Sequence, residues 1–119
     1  MVFQRRQAEE PTDAAGFLER GNRYGRNGVY HRAIQDFTTA IEMDPDLVEA
    51  WYNRGCSWYE VGELENAIAD LTRAIELAPT NGLYYGQRAL VYHFNDQPEL
   101  AEADQERCDE LRFGAELDG

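Results

Sequence analysis

Three arginines and three aspartates recur at one spacing: Arg20, Arg54 and Arg88, then Asp36, Asp70 and Asp104, each 34 residues apart. A guanidinium forks onto a carboxylate through two parallel charge-assisted bonds. Such columns suit either a row that captures charged groups on a partner or an ion-pair ladder inside the fold. Their shared period favours the ladder between neighbouring helices. Other candidates for chemistry are few. His31 and His93 are the only histidines, and neither stands in a metal-spaced cluster. Cys56 and Cys108 have no metal-like partner spacing either, and they read as structural thiols in a reducing, cytoplasmic compartment. No G-x-S-x-G, H-E-x-x-H, phosphate-loop or dinucleotide fingerprint occurs, and the carboxylates spread along solvated helix faces. The expectation is a protein without catalysis, cofactor or metal.

The same period runs through apolar and small residues. Phe17, Trp51 and Tyr85 form one column, Gly21, Gly55 and Ala89 the next, and Tyr24, Trp58 and Tyr92 a third. Ala33, Ala67 and Ala101 follow, then Ala40, Ala74 and Cys108, and Pro45 and Pro79 close the first two rows. A fixed period of this length signals stacked helical repeats, which build surfaces for holding other chains. Apolar positions three and four apart predict six helices: about 14–27, 30–43, 47–61, 64–77, 82–94 and 97–112. Thr12 or Asp13 caps the first, Asp46 with Glu49 makes an acidic capping box for the third, and Asn81 caps the fifth. Asp96 with Glu99 starts the sixth, with Pro98 in its first turn. Small residues facing one another let paired helices approach closely, and short loops make each helix antiparallel to the last.

Length and composition bound the rest. The 119 residues make one domain, and 43% hydrophobic with 12% aromatic residues supports a packed core. No apolar run is long enough to span a membrane. The net charge is -12, and all 11 basic residues are arginine. That field disfavours nucleic acid and anionic membranes and favours neutral or basic partners. Solubility is the plainer account of it, and adaptation of the source organism a second.

The columns resemble the tetratricopeptide repeat family. Its pattern is met by Phe17, Gly21, Tyr24, Ala33, Phe37 and Pro45, and again by Trp51, Gly55, Trp58, Ala67, Leu71 and Pro79. A third, weaker row keeps Tyr85, Ala89, Tyr92 and Ala101 but carries Gln105 where a large apolar residue belongs. The resemblance implies an all-α, right-handed helical solenoid of three antiparallel helix hairpins. The repeats fall at about 14–47, 48–81 and 82–115, after a flexible tail over 1–11. Gln105 and Asp109 make the outer face of the last helix polar, so it reads as the cap of the array; a fragment lacking its capping helix is the rival reading.

The resemblance also implies a role: protein–protein interaction through a peptide held in a concave groove lined by the first helix of each pair. Register maps Leu18, Asn22 and Arg26 there from the first pair, and Glu49, Tyr52, Asn53 and Tyr59 from the second. The third pair supplies Gln87, Leu90, His93 and Phe94. Ala15, Glu19, Gly25, Cys56, Glu60, Leu83 and Gly86 complete the stripes. Co-chaperone members grip a C-terminal carboxylate with two Asn and three basic residues. Asn22 and Asn53 stand in the Asn columns, but the basic columns hold Leu18, Leu83 and Gln87, which excludes that clamp. The expected ligand is a protein or peptide, neutral to basic, with apolar side chains; a homodimer is the alternative. Tyr52, Tyr59, His93 and Phe94 serve either as an aromatic floor or as packing between helices, and the two Asn either as peptide-backbone contacts or as ordinary polar groups.

Overall fold

The computed structural model describes the backbone of residues 9–117 and the side chains of residues 9–112. The expected tail therefore lies largely outside the described residues. Six helices follow in order: α1 Ala14–Arg26, α2 Tyr30–Met43, α3 Val48–Glu60, α4 Leu64–Leu77, α5 Gly82–Phe94 and α6 Pro98–Leu117. No strand occurs among the described residues, and no helix there is long and apolar enough to cross a membrane.

Each hairpin forms because two apolar stripes bury each other. α2 buries Ala33, Ile34, Phe37, Ala40 and Ile41, and α4 buries Ala67, Leu71, Ala74 and Ile75. These positions are three and four apart, so they share one face. Glycine permits the close approach. A Cβ on Gly21 would lie 2.6 Å from Phe37 Cε1, and one on Gly55 would lie 3.0 Å from Leu71 Cγ. Hairpins then stack: α2 packs on α3, and α4 on α5. α1 touches α3 and α3 touches α5, whereas among the described residues α2 and α4 do not meet. The first helices therefore line the tighter, concave side of the stack. The radius of gyration is 16.7 Å, against about 13.5 Å for a compact domain of this length, so the stack is elongated.

The turns inside hairpins share one device. The 29, 63 and 97 backbone N–H groups donate back to the carbonyls of Tyr24, Trp58 and Tyr92 at 2.8–2.9 Å. This closes the helix with a residue at positive φ: Gly28 at 76°, Gly62 at 83° and Asp96 at 60°. Asp96 is thus a turn residue and does not cap α6, which starts at Pro98. Asp13 and Asn81 cap α1 and α5 as expected, accepting from Gly16 and Leu83 N–H. The capping box for α3 does not form. Asp44 Oδ1 instead accepts the Asp46 N–H at 3.1 Å, and the residue at the helix boundary is Leu47. The Asp-Pro-Asp turn satisfies itself locally, which leaves Asp46 and Glu49 without a capping role. α6 also runs beyond the expected end at residue 112.

The Arg–Asp columns form a ladder inside the fold. Arg20 grips Asp36 with two bonds of 2.8 Å, Arg54 grips Asp70 at 2.7 and 2.8 Å, and Arg88 grips Asp104 at 2.6 and 2.8 Å. Each guanidinium also lies over an aromatic ring of its own helix, Phe17, Trp51 and Tyr85 respectively. Arg54 and Arg88 reach further, to Thr38 and Thr72 on the preceding hairpin at 3.1 Å. The ladder therefore ties hairpin to hairpin. At its first rung Glu10 takes the place of that threonine, 3.2 Å from Arg20, and Pro11 lies against Gly16.

Candidate functional site

The concave side collects the mapped residues into three places. The first is a cavity of about 410 Å³ between hairpins one and two, lined by Asn22, Gly25, Arg26, Tyr30, Phe37, Asn53, Cys56, Ser57 and Glu60. Asn53 Nδ2 donates to Asn22 Oδ1 at 2.7 Å. That bond leaves Asn22 Nδ2 as a donor and Asn53 Oδ1 as an acceptor, side by side, with no other partner among the described residues. A peptide group in an extended chain presents the complementary acceptor and donor. Arg26 and Glu60 stand exposed at the rim with opposite charge.

Cys56 lies deeper, and burial pushes its thiol up to about 11. It is therefore protonated at neutral pH and a weak nucleophile. Tyr52, mapped to the groove, lies tilted against Tyr84 with ring centroids 4.8 Å apart. Burial is the main reason its phenol is held well above the usual tyrosine range. Tyr52 thus packs α3 against α5. Leu18 is likewise half-buried, against the cluster of Ala40, Ile41 and Ala50.

The second place is aromatic. Tyr59 of α3 approaches Phe94 of α5 at 6.0 Å, and His93 meets Phe94 edge-on at 5.2 Å. Phe94 keeps 58% of its surface exposed. The third lies on hairpin three, where Leu83, Gln87 and Leu90 line two grooves along α5 and α6. Glu49 is exposed near the Tyr84 hydroxyl, whose ionisation it opposes after burial does. Register missed Tyr30, Phe37 and Ser57. Tyr30 starts a second helix, Phe37 belongs to the apolar face of α2, and Ser57 lies off the mapped stripe. Among the described residues no group of three or more His, Cys, Asp or Glu is placed to hold a metal ion.

A stack of helical hairpins with a concave side lined by first helices is the architecture of a repeat protein that holds other chains. Two tetratricopeptide repeat profiles match residues 48–81 and 83–114, more than half of the chain, and the chain belongs to that family. The residues rank the third row weakest, yet it is one of the two matched. No curated protein matches the chain in sequence. Among solved structures it is similar to the second tetratricopeptide repeat domain of Spaghetti (RPAP3) bound to the HSP90 peptide SRMEEVD, at 27% identity and a TM-score of 0.81, covering 84% of this chain and 93% of that one. The first such domain of human RPAP3 is 28% identical with a TM-score of 0.79, over 82% and 77% of the two chains. MamA is 26% identical with a TM-score of 0.84, over 88% of this chain and 61% of that one. These likenesses support a protein-interaction module.

Proposed function

We propose that the chain is a non-catalytic, cytoplasmic adaptor that binds an extended segment of a partner protein along its concave side. The observation that carries this reading is the Asn22–Asn53 pair, bonded at 2.7 Å with the Asn22 amino group and the Asn53 carbonyl left over at an open cavity. Partner backbone bonds to these two amides, and apolar side chains rest on Tyr59, His93 and Phe94. The ligand is neutral to basic. Glu49 and Glu60 stand on the face, the columns that would supply cations hold Leu18, Leu83 and Gln87, and the whole chain carries -12. An acidic tail such as SRMEEVD, which the Spaghetti (RPAP3) domain holds, does not suit that field.

The test is selection from a random nine-residue peptide library displayed on phage, followed by titration against Asn22→Ala and Asn53→Ala. The reading expects enrichment of neutral-to-basic peptides with apolar residues, and about tenfold weaker binding to each variant. Acidic peptides among the winners, or binding indifferent to both substitutions, would overturn it. A self-associating module is the second reading, favoured by the exposed Leu83 and Phe94 on α5. Sedimentation velocity distinguishes it through a stable dimer.

A further inference from the structure

Each of the first two hairpins seats the first helix of the next: α3 rests on α2 and touches α1, and α5 rests on α4 and touches α3. The third hairpin presents the corresponding crevice to solvent. Two grooves of about 580 and 490 Å³ run along α5 and α6 and share Gly86 and Gln105. Their floor is small or apolar, with Gly86, Ala89 and Ala101, and Leu83 and Leu90 stand beside it, 57% and 40% exposed. This crevice lies apart from the Asn22–Asn53 cavity, and His93 at its edge is shared with the concave side used above.

The repeat columns show how its chemistry differs from the filled seats. Where those hold Ile34 and Ile68, Phe37 and Leu71, and Ile41 and Ile75, the third holds Glu102, Gln105 and Asp109. Arg54 and Arg88 of the seated helices bond Thr38 and Thr72 at 3.1 Å. The third member of that column is Glu106, exposed, and among the described residues no cation pairs with it. The crevice therefore keeps a small-residue floor, while Glu102 in its lining, and Glu106 and Asp109 by the repeat columns, add three carboxylates against one cation, Arg112. A second copy stacked head to tail fits poorly, because Glu10 already bonds Arg20 and Pro11 covers Gly16 on the outer face of α1.

We propose that the α5–α6 crevice binds a basic amphipathic helix of a partner protein, seated as α5 is seated on α4. Its apolar face lies over Gly86 and Leu90, and an arginine in the register of Arg88 meets Glu106. Opposite charge on Glu102 and Asp109 fixes orientation and speeds encounter. Small residues on the floor let the incoming backbone approach closely.

The probe is a fluorescent synthetic peptide copying residues 80–96 with Asp96→Arg, which makes it basic, and its Arg88 holds the register of the proposed arginine. Anisotropy titration of the full chain should show saturable binding. An Arg88→Glu peptide should bind at least tenfold more weakly, and the Glu106→Arg protein should bind that changed peptide better than it binds the original. Gly86→Trp should abolish binding of both; it crowds Cys108 Sγ, 3.1 Å from the Cβ position. The Glu106 exchange, at an exposed site, carries the test without that variant. Absence of saturable binding at millimolar peptide, or binding indifferent to the charge exchange, would overturn the proposal. So would a dimer of the chain that Glu106→Arg disrupts, since the seat would then belong to a second copy.

Discussion

Leu71 and Gln105 hold the same position in consecutive hairpins and meet opposite surroundings. Leu71 is fully buried between α4 and the helices packed on it, in a cluster with Ala67 and Val91. Gln105 is exposed on α6 and bonds Asp109 at 3.0 Å. Backbone, turn and Arg–Asp rung are alike in the two hairpins, so the residue type follows what lies on the far side. An inner seat is filled by the chain's own next helix and is apolar. The α5–α6 seat is exposed among the described residues and is rimmed with polar and acidic groups. At the first rung Glu10 bonds Arg20, where the later rungs bond a threonine of the preceding hairpin.

The largest test of that comparison is a pair of exchanges. Leu71→Gln should cost about 3 kcal/mol or more, because it removes a packed side chain and buries an amide. Gln105→Leu should change stability by less than about 0.5 kcal/mol. Urea unfolding of both variants measures this, and equal effects would erase the distinction between the seats. Next comes the ladder. Asp70→Ala strands Arg54, whose side chain is 17% exposed, and should cost about 2–3 kcal/mol, discounted for that exposure. Asp36→Ala should cost less, because Glu10 still reaches Arg20 from solvent. Gly21→Ala forces a methyl to 2.6 Å from the Phe37 ring and should cost about 1–3 kcal/mol.

Smaller effects sharpen the contrast between the turns. Gly28 and Gly62 occupy positive φ without penalty, but Asp96 does so at 60°. Asp96→Gly should therefore stabilise the third hairpin, by about 0.5–1 kcal/mol at most, as a rise in melting temperature. A change confined to alkaline pH concerns Cys56. Its folded thiol titrates at about 11 against an ordinary value of 9.0, so the native state holds its proton more tightly than the unfolded state does. This contribution to stability is fully present below pH 9 and is lost as pH rises through 11. Comparing alkaline unfolding of the parent with Cys56→Ala reads it: the variant should lose less stability over that window.

Much of this was legible in the sequence. Periodic columns carried the hairpins, their order, the close crossings at Gly21 and Gly55, and the ion-pair ladder, because each recurs with the fold and its partners lie at fixed offsets. Helix starts were less legible. Asp46 and Asp96 have the right residue type for a cap, but capping depends on backbone angles that the turn sets, and Asp44 took the N–H that the capping box needed. The site was legible only in part. Register put Asn22 and Asn53 on one face without showing that they bond each other, since residues on α1 and α3 meet only through superhelical stacking. It also could not separate an aromatic that lines a groove from one that packs a joint. Tyr52 packs against Tyr84, whereas Phe94 stays open.

The central claim is that the first two seats are filled and the third is open. Native-state amide hydrogen exchange of the isolated chain tests it most directly, because protection reports the free energy of local opening. The account predicts that amides of α4 around Leu71, Ala74 and Ile75 exchange only through the largest openings. Amides of α6 around Asp104 and Cys108, covered by α5 alone, should exchange at least a hundredfold faster. Protection of α6 equal to that of α4 would contradict it, since the last helix would then be covered as fully as the inner ones.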